Sequence, residues 1–252
     1  MKTNVKLVGL FALLGGAAQL LILPYLTALV ASLGEGLSPV AAGLAMTAQT
    51  VVLVALCAAA GLWAAGKTGL EVPLLRQWLE GRSRGHAEGN PARGLLLAAA
   101  AGAAAGALTL AADGLGFARY LPVPVQGTLQ TAWWQGLLAI PYGGIVEEVM
   151  ARLFLMSLFV LVLGRLIGNQ TSMVYWMAIL LAGLLFGAGH LGTVYQMFGS
   201  LDAFLVVRTL VLNLIGGLVF GYLYWRRGLE AAIVAHMAAD FVLHVLGAFL
   251  QG

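Results

Sequence analysis

Six side chains carry chemistry in a sequence that has few like them. Glu147, Glu148 and Arg152 fall in the run Pro141–Arg152, His190 follows Phe186 by four residues, and His236 precedes Asp240 by four. One carboxylate and two imidazoles within mutual reach can activate water. Glu147 would serve as general base and His190 would share the water's proton. A second imidazole and an Asx side chain, His236 and Asp240, can donate hydrogen bonds to a developing oxyanion. The same groups could instead bind a divalent metal, because two histidines and a glutamate form a known catalytic zinc set. Glu147, His190 and His236 would then be the ligands, and the metal would generate hydroxide. Either version hydrolyses an amide or an ester.

Helical spacing separates the two glutamates. Residues four apart share a face, so Glu148 and Arg152 are expected to form an ion pair, with the acid first. Glu147 is rotated by about 100° from Glu148 and is left without a local cation. His236 and Asp240 are also four apart, so Asp240 is expected to hold the imidazole and fix its tautomer. Phe186 sits one turn from His190 and can wall one side of it. Taken alone, Glu148 with Arg152 reads equally well as a structural clamp, and His244 reads as a packing residue. Glu147, His190 and His236 come from three different apolar segments, which favours function for the set.

The elements that position these groups cross a membrane. The 252 residues are 61% hydrophobic and 9% charged, against about 25% charged in soluble chains, and the mean hydropathy is +0.95. Cys57 is the one cysteine, which excludes an internal disulfide. A span needs about 20 apolar residues. Seven such stretches are read, over 7–33, 39–66, 94–112, 128–164, 172–197, 203–225 and 229–250. The fold class is therefore all-α, a polytopic bundle of about seven transmembrane helices, with six to eight possible. Residues 1–127 hold the N-terminal spans and 128–252 the motif-bearing ones, within one membrane domain. Arg208 and Glu230 lie near span ends, where they can snorkel.

Orientation follows from lysine and arginine. With the N-terminus inside, ten of these residues fall in inner connections and only Arg119 in an outer one. The N-terminus and the 67–93 loop are thus expected in the cytoplasm. Leu70 to Leu79 reads as a short interfacial helix. Gly81 to Gly94 reads as a flexible loop with a solvated His86. The net charge of +3 therefore implies no nucleic-acid partner. Gly102/Gly106 and Gly217/Gly221 have GxxxG spacing, which in apolar helices points to close packing more often than to dimerisation.

Depth raises a difficulty. Glu147 lies 17 residues before position 164, about 26 Å of helix, whereas His236 lies seven residues, about 11 Å, from the start of its span. A fourth span broken near Pro141 and Gly143–Gly144 would reconcile them.

Together, Glu-Glu-x-x-x-Arg at 147–152, Phe-x-x-x-His at 186–190 and His-x-x-x-Asp at 236–240 resemble the three motifs of the CPBP intramembrane proteases. That group includes the type II CAAX prenyl endopeptidases and Abi-type immunity proteins. The resemblance covers about residues 128–250. It implies an all-α membrane core with an intramembrane cavity, and peptide-bond hydrolysis. Glu147 then resembles the catalytic glutamate, His190 its partner on the water, His236 and Asp240 the oxyanion-side pair, and Glu148 and Arg152 the supporting pair. Asp240 stands where CAAX enzymes of eukaryotes have Asn, and the family pattern allows either. The family has been described both as metalloproteases and as glutamate proteases. The glutamate version, without a cofactor, is the reading adopted, with zinc as the alternative. The expected partners are the bilayer and a membrane-embedded or lipid-associated peptide, prenylated or not. The expected location is a bacterial-type inner (plasma) membrane. A proton-coupled transporter and a non-catalytic bacteriocin-immunity protein are the alternative functions. A proton relay needs polar residues strung across the whole membrane, and clustering of these groups favours the enzyme.

Overall fold

A computed structural model describes residues 2–32, 38–81, 90–122 and 133–250. Most of the expected flexible loop, His86 included, lies outside the described residues. The helices are α1 Lys2–Ser32, α2 Pro39–Ala65, α3 Pro73–Glu80, α4 Pro91–Ala112, α5 Trp133–Pro141, α6 Ser157–Ile167, α7 Ser172–Gly189, α8 Leu191–Phe198, α9 Ala203–Arg227, α10 Leu229–Asp240 and α11 Gly247–Leu250. They compose seven apolar helices long enough to cross a membrane, one for each stretch read from the sequence. The chain is an all-α, multi-pass membrane protein.

Local chemistry sets the helix starts. Ser38, Asn90 and Asp202 each accept a hydrogen bond from a first-turn amide, of Ala41, Ala92 and Leu205 respectively. Pro39 and Pro91 follow two of these caps, where a missing N–H costs nothing. The turn between α9 and α10 is Gly228 alone, at φ +94°, a conformation glycine adopts without penalty. A Cβ there would also collide with the Pro73 ring.

Small residues bring the spans together. A Cβ at Gly102 would collide with the backbone of Ala235, and one at Gly106 would lie 2.8 Å from the Ala239 carbonyl. Gly217 and Gly221 meet Gly183 and Ile179 of α7 in the same way. Both GxxxG pairs therefore serve packing within the chain. Gly61 of α2 lies against the Leu153 backbone, which seats the N-terminal spans on the motif-bearing half.

One end of the bundle gathers most of the basic residues. Arg76 donates to Asn4, Gln170 to the Lys67 carbonyl and Tyr175 to the Thr68 carbonyl. Tyr175 stacks on Trp225 at 4.7 Å, beside Arg226 and Arg227. The expected interfacial helix is α3, which lies at this end. Val72 cannot cap α3 with its side chain, and the Glu230 carboxylate does so instead, accepting from Leu75 N at 2.8 Å. Glu230 is thus buried, at 8% exposure, because it anchors α3 to α10; the snorkelling expected of it does not occur. Arg208 does not snorkel freely either. It forms a bidentate pair with Asp113 at 2.7 and 2.6 Å near the opposite end.

The depth difficulty has a different solution from a break. The fourth span runs from Trp133 to Ile167 without interruption, and its lower end overshoots its neighbours. Ser157 Oγ meets Tyr224 OH at 2.9 Å, so a residue ten positions before Ile167 is level with one three positions before the end of α9. His236 Nδ1 lies 2.7 Å from Glu148 Oε1, so the two residues stand at one depth, nine residues before Ser157 on one span and seven beyond Leu229 on the other. The sequence does depart from α-geometry at the expected place. After Pro141 the chain continues as π-helix over Tyr142–Glu147 and again over Val149–Met156, and the seventh span does so over Phe241–Leu246. Such wide turns are rare and concentrate at functional sites.

Candidate active site

Glu148 and Arg152 meet as their spacing requires, with Arg152 Nη1 3.0 Å from Glu148 Oε1. Both are buried, at 0% and 2% exposure. The guanidinium lies between two aromatic faces, 5.4 Å from the Phe186 ring centroid and 5.3 Å from that of Phe220. Rings at this distance attract a desolvated cation, which helps an arginine whose Nη atoms make no hydrogen bond among the described residues.

His236 is held by Glu148 rather than by Asp240. Its Nδ1 lies 2.7 Å from Glu148 Oε1, whereas Asp240 Oδ1 is 3.5 Å from Nε2. The i, i+4 argument placed Asp240 on the right side of the imidazole but could not foresee a better acceptor arriving from another helix. Because a carboxylate only accepts, Nδ1 donates to Glu148. The tautomer is fixed by the same oxygen that pairs with Arg152. Phe220 stacks on the His236 ring at 4.7 Å and 22°, fixing its plane. Nε2 then faces two acids, Asp240 and Glu147, whose Oε2 is 3.6 Å away.

Glu147 has a different environment from its neighbour. Its side chain is 24% exposed and borders a cavity of about 340 Å³, which His190, His236 and Asp240 also line. His190 follows the last residue of α7 and turns Nδ1 to the Phe186 carbonyl at 2.9 Å. A carbonyl can only accept, so Nδ1 carries the hydrogen and Nε2 is left as an acceptor. Phe186 walls His190 edge-on at 4.7 Å and also contacts His236 at 6.2 Å. Gly143 makes room on the facing wall. A Cβ there would collide with the Asp240 carboxylate and lie 3.3 Å from His236 Nε2.

All six sequence-identified residues thus fall in one cluster, four at the cavity and two behind it. Four more polar side chains line the cavity outside that set. His244, set aside as packing, is 3.9 Å from Asp240 Oδ1 and faces the cavity, as do Tyr142, Thr109 and Asn213. Tyr142 belongs to the π turn that begins after Pro141, where α-periodicity gives the wrong face. Thr109 and Asn213 lie outside the motifs, and only their polarity in apolar spans marked them. Among the described residues, no three His, Cys, Asp or Glu side chains converge at metal-ligand spacing.

No curated protein and no solved structure matches the chain. A family model does: residues 129–242 match the type II CAAX prenyl endopeptidase Rce1-like family. The match ends just past Asp240 and contains every residue of the ion-pair and imidazole cluster. The match agrees with the CPBP resemblance carried by the three motifs and supports intramembrane endopeptidase activity in general: residues 129–242 are similar to an Rce1-like protease domain.

Proposed function

We propose that the chain hydrolyses a peptide bond of a membrane-embedded or lipid-associated peptide, using water activated by Glu147 and His190. The observation that supports this most is the division between adjacent acids. Glu148 is fully buried and engaged by Arg152 and His236, whereas Glu147 faces the cavity. One carboxylate holds the site together and the other is free to meet water.

A water between Glu147 and His190 gives one O–H to each, since His190 Nε2 is an acceptor. Its lone pair attacks the carbonyl carbon while Glu147 takes a proton. Nε2 of His236 has two carboxylates beside it, so the three groups cohere only by sharing a proton. That proton is available to the developing oxyanion. As the tetrahedral species collapses, Glu147 delivers its proton to the leaving nitrogen. The C–N bond breaks, and a carboxylic acid and an amine leave. Gathering most of the basic residues at one end supports a cytoplasmic N-terminus in a bacterial-type inner membrane. The test is cleavage of a membrane-peptide library by purified protein, with Glu147→Ala as control and with and without chelator. Cleavage that persists in chelator and disappears in the variant is expected. Cleavage abolished by chelator would favour the zinc alternative, and cleavage by Glu147→Ala would overturn the assignment.

A further inference from the structure

Cleaving a peptide inside a membrane raises a problem beyond the chemistry of the bond. The substrate must be extended at the scissile position, and unwinding frees backbone N–H and C=O groups that hydrocarbon cannot satisfy. The cavity must supply partners for them. Leu212, Leu243, Ala139 and Ala105 on its walls cannot.

Asn213 can. It lies in α9, where an amide in an apolar span needs a reason. One amide hydrogen is satisfied within the helix, Nδ2 donating to the Thr209 carbonyl at 2.9 Å. The second amide hydrogen and the carbonyl oxygen have no partner among the described residues. A carboxamide with one free donor and one free acceptor is the complement of a single peptide unit. Its position suits the task. Asn213, Gly216 and Phe220 are spaced three and four apart and all line the cavity, so they form one helical stripe that ends on the ring stacked against His236. Across the helix interface, a Cβ at Gly187 would lie 3.3 Å from Asn213 Cβ. Gly187 comes three residues before His190, so Asn213 stands on the His190 side of the cavity. Thr109 of α4 lines the same space. Its hydroxyl donates to Ala105 O and can still accept.

We infer that Asn213 is a substrate-positioning residue, whose carboxamide pairs with a main-chain peptide unit of the extended substrate flanking the scissile bond. This rests on the peptidase reading of the cavity. Such a contact selects an unwound backbone without selecting side chains.

The test uses a single-span peptide that the wild type cleaves, taken from the library and reconstituted in phosphatidylcholine vesicles. Each backbone nitrogen around the scissile bond is methylated in turn. In the wild type, one flanking position should lose about tenfold or more in kcat/KM, the scale of leaving a buried polar group unpaired. Asn213→Ala should cleave the parent peptide more slowly by a similar factor and show no further loss at that position. A merely structural role would slow all peptides alike and keep the methylation profile. Asn213→Leu, similar in size and suited to an apolar helix, serves where the alanine variant does not fold. The inference is overturned if the wild type has no sensitive position beside the bond, or if either variant keeps the wild-type rate or profile. Should Glu147→Gln abolish cleavage while Asn213→Ala leaves it unchanged, the inference fails and the peptidase reading stands. A wild type that cleaves no library peptide overturns both.

Discussion

Replacing Arg152 by alanine should unfold the protein far earlier than replacing Glu147 by glutamine. Arg152 is 2% exposed and lies 3.0 Å from a Glu148 that is fully buried. Removing the cation strands that carboxylate in a low-dielectric interior, and breaking a buried pair in this way costs about 3–5 kcal/mol. The His236 Nδ1–H bond to the same oxygen remains and keeps the cost from rising further. Contacts to Phe186 and Phe220 are lost as well. For a chain of this size each kcal/mol shifts Tm by about 2–4 °C, so the alanine variant should melt about 6–20 °C below wild type. Glu147 faces the cavity, and the His236 imidazole lies 3.6 Å from it. Its glutamine keeps the shape, so Tm should move by no more than about 3 °C while turnover is lost. Thermal melts of both variants in one detergent provide the comparison. The combined Glu148→Leu/Arg152→Met variant should recover part of the lost stability, since apolar replacement of a whole buried pair is often neutral, yet remain inactive. If Arg152→Ala melts like wild type, or Glu147→Gln melts as early as Arg152→Ala, the assignment of clamp and free base is wrong.

Gly143→Ala should fold but cleave at least about 10²-fold more slowly, because its Cβ displaces Asp240 and His236, and a shift of about 1 Å in catalytic groups has that consequence; an active variant would show that this wall is not part of the site. Gly102→Val should lower Tm without a specific kinetic signature, because its side chain forces α4 away from the Ala235 backbone; an unchanged melt would contradict the close packing. In a Cys57→Ala background, cysteines placed at the exposed positions Lys67 and Trp133 should be labelled from opposite faces of the membrane; labelling from one face removes the seven-span topology.

The sequence carried the spans legibly because apolar length is a one-dimensional signal, and it carried the Glu148–Arg152 pair because α-periodicity holds there. It misjudged three things for one reason, which is that neighbours in space come from distant helices. Asp240 was expected to hold His236, but Glu148 arrives from 88 residues away. Glu230 was expected to snorkel, but it caps α3 from 155 residues away. Arg208 finds Asp113 across α4. The π turns around Tyr142 and Val149 were anticipated only as a disturbance at Pro141 and the paired glycines. A break and a widening leave the same trace in sequence, and only the level set by Ser157 and Tyr224 distinguishes them. Asn213 was not singled out because its significance depends on facing a cavity that six of the seven spans create jointly.

The claim that Glu147 activates the water is tested most directly by the single-turnover rate of Glu147→Gln on a peptide that the wild type cleaves, in the same vesicles. Loss of a general base predicts a decrease of about 10²–10⁴-fold in a protein that still melts like wild type. Turnover within a few-fold of wild type would contradict it.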